Sequence, residues 1–430
     1  PGLWRDAAGR RLSKVVAAAR IVRVLPEQVR RKTEKVVDEV NAQPCLTFVH
    51  FRWGGLQDPG NAPLQSPGNL KCPFSETTGG ITSHNYISEW EGEVFRTLGP
   101  TYEVVSAFVQ NSEDLALLTP HLLAPLLRGV HVGALYFVWP VGFQDGHGCL
   151  GYVCRDKFLG LMRLMEGAGI PTRFPHPSHL YRLIASKDWL PQTCLHPLLH
   201  VPLTVKVDRQ SVARDSARAA ADAFRALAHL ADTRTKWSVD LSARRPSDLA
   251  TRRQRQAEIS VAGHRAGVAK LGWSWESVDV VAWKSERELQ HAMKFLLEQP
   301  GSLMEAVFVQ EWVDFDVELR AFVVGASMSQ RESWRPRKVV YTSIEPRIRP
   351  ERPSRHCRRR FQLLSRVECL DAIFSGDGEA IVDAEMQAEV LIGRWLAWLQ
   401  AQAHELPPVI RFDFLVKHDA PGRAKVITCE

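Results

Sequence analysis

VFVQEWVDFDVELRAFVVG, Val307 to Gly325, decides the reading of this chain. Its apolar residues are those of two strands, VFVQEWV and VELRAFVV, yet Glu311, Glu318 and Arg320 fall inside them. Charge removed from water needs a partner or a ligand. Asp314 and Asp316, between the two runs, read as turn residues. For each charge alone, an ion pair or an edge position is the plain explanation.

Outward from this stretch the chain alternates strand and helix signals. SVARDSARAAADAFRALAHLA reads as a long helix, AGVAKLGW as a strand, and SERELQHAMKFLLEQ as a helix opened by a serine cap. Beyond it come the helix DAEMQAEVLIGRWLAWLQAQA and the strands VIRFDFLV and AKVITCE. Residues 178–430 thus read as α+β with a mainly antiparallel sheet. Residues 86–177 give SEWEGEVFRTLG as a helix, YEVVSAFVQ as a strand, EDLALLTPHLLAPLLRG as a proline-broken helix and HVGALYFVWP as a buried strand. RDKFLGLMRLMEGAG follows as a helix and IPTRFP as a short strand. That spacing implies parallel βαβ units and a small open α/β domain. Residues 1–85 hold a basic helical pattern over 1–40, interrupted at Pro26, and then an irregular Gly/Pro/Asn-rich span.

Composition excludes several classes. Hydrophobic content of 45% and charged content of 24% are those of a globular chain, not a fibrous or disordered one. The eight cysteines form no C-x-x-C pair, which argues against a disulfide scaffold or a structural zinc and for a reducing, cytoplasmic setting. No apolar run approaches the roughly 20 residues of a spanning helix. The chain opens on Pro1 rather than Met and stops after KVITCE, so it reads as a fragment, with a targeting segment upstream left open.

The net charge of +7 is concentrated in RIRPERPSRHCRRR, Arg347 to Arg360, which carries seven arginines and no interleaved aromatics. This is the pattern of a solvated loop, with a flap over an anionic substrate as the sharper alternative; it does not favour a nucleic-acid partner. GHGCLG, Gly146 to Gly151, matches G-x-G-x-x-G, but six residues separate it from the strand end and no acidic residue closes the next strand. HPSH and HPLLH contain prolines and stand apart from cysteines and carboxylate clusters, so turns are favoured over metal ligation. Neither a P-loop nor a G-x-S-x-G elbow occurs.

What remains is an ordered set: Lys187 in ASKDWL, Lys270 in GVAKLGWSWESVDV, Glu311, Glu318, Arg411 and Asp413 in VIRFDFLV, and Glu430 in KVITCE. In this order the residues resemble the ATP-grasp superfamily over about 178–430, and residues 86–177 look like the domain that usually precedes it. The resemblance implies a two-subdomain fold, ATP and Mg²⁺ as cofactors, and specific roles. Lys187 and Lys270, expected on separate strands, would contact phosphates, with Pro202 and Thr204 supplying the P-x-T that follows the first lysine. Ser274 belongs to the phosphate lid, which here carries two tryptophans instead of the usual glycines. Glu311, with the main chain of Trp312 and Val313, would take the adenine, and Glu318 the ribose. Asp413 and Glu430, expected side by side, would hold the metal, and Arg411 would steady the transferring phosphoryl group. The implied activity is ligation of a small-molecule carboxylate to an amine or thiol through an acylphosphate. The alternative is a non-catalytic ATP-binding assembly protein. Arg320 and the arginine loop are candidates for an acidic substrate.

Overall fold

The structure is a computed structural model and describes residues 20–24, 46–53, 102–109, 111–127, 131–144, 152–242, 266–273, 279–324, 335–344, 361–402 and 409–429. SEWEGEVFRTLG, GHGCLG, Ser274, the Arg347–Arg360 run and Glu430 lie outside these residues. The chain divides into two compact units, Pro1–Arg182 and Leu183–Glu430.

The first unit is built on a five-stranded sheet in the order β1 (Arg20–Val24), β3 (Tyr102–Val109), β2 (Leu46–Trp53), β4 (His131–Phe137), β7 (Thr172–Phe174). β2, β3, β4 and β7 run parallel, as the alternation of strand and helix predicts, and β1 adds an antiparallel edge. A two-stranded parallel ribbon joins β5 (Trp139–Val141) to β6 (Tyr152–Cys154). Two features differ from the sequence reading. Arg20–Val24 lies within the basic pattern read as helical, yet RIVRV is a strand, and its β-branched residues favour that state once β3 offers an edge. β2 lies ahead of residue 86 and is nonetheless central, paired with both β3 and β4. Its core contribution is large: Val49 and Phe51 are fully buried, and Phe51 stacks on its register partner Tyr136 at 4.7 Å. The proline-broken helix is real, with Ser112–Leu117 ending before Pro120–Leu123. Helix Arg155–Gly167 buries Phe158, Leu159, Leu161, Met162 and Met165, an i, i+3/i+4 stripe.

The second unit carries two antiparallel sheets. The first has the order β10 (Val280–Trp283), β9 (Gly267–Lys270), β11 (Ala306–Glu311), β8 (Thr204–Asp208). Helices Ser216–Ser242 and Glu286–Leu297 pack on it and on each other. The predicted serine cap is present, Ser285 Oγ accepting from the Glu288 amide at 3.2 Å. The second sheet has the order β14 (Phe361–Leu364), β13 (Arg335–Ile344), β12 (Val317–Val324), β15 (Val409–Ala420), β16 (Arg423–Thr428). Helix Gly378–Gln402 covers its β15–β16 side, where Trp395 Nε1 donates to Thr428 Oγ1 at 3.0 Å and Gln387 Nε2 to the Ala424 carbonyl at 2.9 Å. β11 and β12 do not pair with each other. The opening stretch therefore crosses from one sheet to the other through Trp312–Asp316.

Candidate functional site

Within the second unit, Lys187 does not stand on a strand. It occupies the turn between helices Ser178–Ala185 and Trp189–Thr193 with φ 63°, a left-handed conformation costly for a side-chain-bearing residue. It is 93% removed from solvent. Backbone contacts hold the turn: the Trp273 amide donates to Ala185 O at 2.8 Å, and Gly272 approaches so closely that a Cβ there would lie 2.2 Å from Ser186 O. Because Lys270 ends β9 and Leu271–Trp273 follow it directly, this docking fixes the turn that bears Lys187 against the segment that leaves Lys270. The strand lysine in this region is Lys206 on β8, whose ammonium pairs with Asp188 at 2.8 Å.

Lys270 is buried and donates from Nζ to Gln310 Oε1 at 3.1 Å; Gln310 Nε2 donates to Thr204 Oγ1 at 2.9 Å, which in turn donates to Pro202 O at 2.9 Å. This relay crosses β9, β11 and β8. It fixes the amide orientation of Gln310, since only Oε1 can accept from an ammonium.

Glu311 ends β11, and its side chain is committed inside the protein. Oε1 accepts from the Leu203 amide at 2.7 Å and from Arg234 Nη1 at 2.9 Å, while Arg234 Nη2 donates to the carbonyls of Cys194 and Val201 at 2.9 and 2.8 Å. The carboxylate expected at an adenine amino group is thus engaged by Arg234. The Glu311 and Trp312 amides donate to Leu203 O and Ala266 O, so the entry to the inter-sheet link is fastened on both sides. Trp312 itself is half exposed, and Val313 follows it in the link. Asp314 and Asp316 secure the far end. Asp314 pairs with Lys417, Asp316 Oδ2 accepts from the His418 amide at 2.9 Å, and the Asp316 amide donates to Val416 O.

On the second sheet the register builds a polar face. Glu318 lies opposite Thr342 on β13 and Leu415 on β15; one row on, Arg320 lies opposite Val340 and Asp413; one further, Phe322 lies opposite Arg411. Alternate residues of a strand share a face, so Thr342, Glu318, Arg320, Asp413 and Arg411 project together. Tyr341 projects oppositely, its hydroxyl donating to Glu385 of helix Gly378–Gln402. Arg320 Nε donates to Glu318 Oε1 at 2.8 Å and stands 3.7 Å from Asp413 Oδ2. Arg411 grips Asp413 through two parallel bonds, Nε to Oδ1 and Nη2 to Oδ2, both 2.9 Å. Burial first, and the Asp413 carboxylate second, push Glu318 up to about 7 against the lowering influence of Arg320 and Arg411. The Cys429 amide donates to Asp413 O at 2.8 Å. Glu430, expected beside Asp413, lies outside the described residues. Among the described residues no three His, Cys, Asp or Glu gather as a metal-holding group. The carboxylate of Asp413 is of the kind that suits a hard cation also taking phosphate oxygens.

Three participants escape sequence reading. Arg234 lies 77 residues from Glu311, within the long alanine-rich helix Ser216–Ser242, and carries no local signal. Thr342 is an ordinary strand threonine. Gln310 had one usable signal, a polar amide in an otherwise apolar strand.

No family model matches the chain. No curated protein matches it either. Among solved structures it is similar to D-alanyl-alanine synthetase A from Vibrio cholerae, at 12% identity and a TM-score of 0.44 over 90% of this chain and 88% of that one. It is also similar to the VanG D-Ala:D-Ser ligase from Enterococcus faecalis, at 12% identity and a TM-score of 0.45 over 90% of each. A third is the D-cycloserine synthetase DcsG, at 14% identity and a TM-score of 0.42 over 89% of this chain and 90% of that one.

Proposed function

We propose that the second unit binds Mg·ATP as an ATP-grasp domain and that the chain uses it to ligate a small-molecule carboxylate to an amine. The observation that carries this reading is the four-charge face of Glu318, Arg320, Asp413 and Arg411, joined by one short link to the sheet that bears Lys270. Strand spacing and rise put Glu318 and Asp413 on a diagonal of about 8 Å, one strand and one two-residue step apart, which suits a nucleotide's sugar at one and its phosphates at the other. Lys187 and Lys270 would neutralise the triphosphate as compact, separately anchored cations. The adenine would meet main-chain groups around Trp312 and Val313, because the Glu311 side chain is held by Arg234. Asp413, with Glu430 where the chain continues beyond Thr428, would hold Mg²⁺. When bound, that ion supplies charge neutralisation at the phosphate oxygens.

For the chemical step, a substrate carboxylate oxygen attacks the γ-phosphorus and ADP leaves, so no enzyme nucleophile is required. Arg411 stabilises the charge on the transferring phosphoryl oxygens. The amine then attacks the acyl carbon, losing a proton, and inorganic phosphate departs with the C–O bond electrons. Isothermal titration with Mg·ATP tests the site. Lys270→Ala and Asp413→Ala should each weaken binding about tenfold or more, the scale of a lost charge-assisted bond. Unchanged affinity in both variants refutes the assignment. A non-catalytic ATP-binding protein is the second reading, favoured by the bidentate hold of Arg411 on both oxygens of Asp413. Tight Mg·ATP binding without ADP release in mixed carboxylates and amines would select it.

A further inference from the structure

We infer that Thr342 is a sugar-reading residue that makes this site selective for ribonucleoside triphosphates over their deoxy counterparts; the inference rests on the ATP-site reading above. Thr342 is 99% removed from solvent, yet its Oγ1 has no hydrogen-bond partner among the described residues. Buried hydroxyls are ordinarily satisfied, and one that is not points to a group that arrives later. The register says where that group arrives. Thr342 is the direct cross-strand partner of Glu318, on the same face, with Cβ atoms of such pairs about 5 Å apart. Its strand neighbour Tyr341 is turned to the opposite face and engaged by Glu385, which fixes the direction of Thr342.

Among the described residues Glu318 is only half used. Oε1 accepts from Arg320, which leaves Oε2 to accept from a ligand. A carboxylate oxygen and a hydroxyl, side by side and not bonded to each other, match the two vicinal hydroxyls of a ribose. The carboxylate accepts from one, while Thr342 donates to or accepts from the other. A ligand lacking the second hydroxyl would leave Oγ1 buried and unsatisfied, and the discrimination of a buried polar group against such an analogue exceeds that of an apolar contact. If Thr342 were merely a strand residue, valine of nearly the same shape would serve equally, and the missing hydroxyl would be no loss.

The test compares Mg·ATP, Mg·2′-deoxy-ATP and Mg·3′-deoxy-ATP on wild type, Thr342→Val and Thr342→Ser by isothermal titration, with thermal melts to verify folding. Wild type should prefer ATP over one deoxy analogue by about tenfold or more, the scale of one buried hydrogen bond. Thr342→Val should weaken ATP by a similar factor and bring that ratio close to one, and Thr342→Ser should restore it. If wild type binds ATP but both ratios are unchanged in Thr342→Val, the inference alone is wrong. If wild type binds none of the three, the ATP-site reading falls and the inference with it.

Discussion

Gly272→Ala is the sharpest perturbation of the lysine site, because nothing but a methyl group changes. The new Cβ would lie 2.2 Å from Ser186 O, 2.9 Å from its carbonyl carbon and 3.2 Å from its Cα, all backbone atoms that cannot swing aside. Restoring ordinary contact requires the turn to retreat by about 1 Å. Lys187 is the next residue, and the Trp273 amide bond to Ala185 O stretches with it. Overpacking of this kind costs about 1–3 kcal/mol, or roughly 3–10 °C in melting temperature for a unit of this size. With Lys187 at the phosphates, as proposed, an ångström of displacement is worth as much as a hundredfold in a positioned site, so the Kd for Mg·ATP should rise about tenfold or more. Gly393→Ala serves as the control, since Gly393 lies within helix Gly378–Gln402 and the added methyl group would meet nothing within 4 Å; it should stabilise by about 0.5–1 kcal/mol and leave the Kd alone. Scanning calorimetry and titration on the two variants suffice. Wild-type melting and wild-type affinity in Gly272→Ala would refute the claim that this contact places Lys187.

Arg234→Leu should cost about 2–4 kcal/mol in denaturant melts, since it strands a half-buried Glu311 and frees two carbonyls, discounted because Arg234 is partly exposed; adding Glu311→Gln should recover part of the loss. Gln310→Leu should leave the fold intact but weaken Mg·ATP more than Mg-free adenosine, because the relay aims the Lys270 ammonium and not the base site; equal weakening of both would contradict that role. The metal-free protein should lose stability as pH rises from about 4.5 to about 7, because Glu318 is raised in the folded state and folding then binds the proton. Full expression of the shift is about 3 kcal/mol, present as stability at low pH and gone above pH 7. Glu318→Gln should flatten that slope, measured by chemical denaturation at pH 5.5 and 8.0.

The charges of Val307–Gly325 were legible because strands rarely carry them, and so was one class of partnership. Two residues apart on a strand share a face, which makes E-x-R and R-x-D candidate ion pairs from sequence alone; Glu318–Arg320 and Arg411–Asp413 are both formed. Periodicity likewise gave β9, β11, β12, β15 and β16 and the helices between them, including the cap at Ser285, whereas β8, β10, β13 and β14 went unread and the alanine-rich helix is broken at Asp215. Pairing between distant segments was not legible. Adjacent strand patterns suggest hairpins, yet β11 pairs with β8 and β9, and β12 with β13 and β15, because a short acidic link tied to Lys417 and the His418 amide carries the chain between sheets. The same limit hid Arg234, whose helix gives no sign that its guanidinium reaches Glu311, and it misplaced Lys187, whose turn is set by contact with Gly272 and not by its own neighbours. Each miss is a tertiary contact overriding a local rule. The residues it exposes, an arginine consuming the hinge carboxylate and a threonine left unsatisfied beside Glu318, distinguish this site from the one its motif order alone describes.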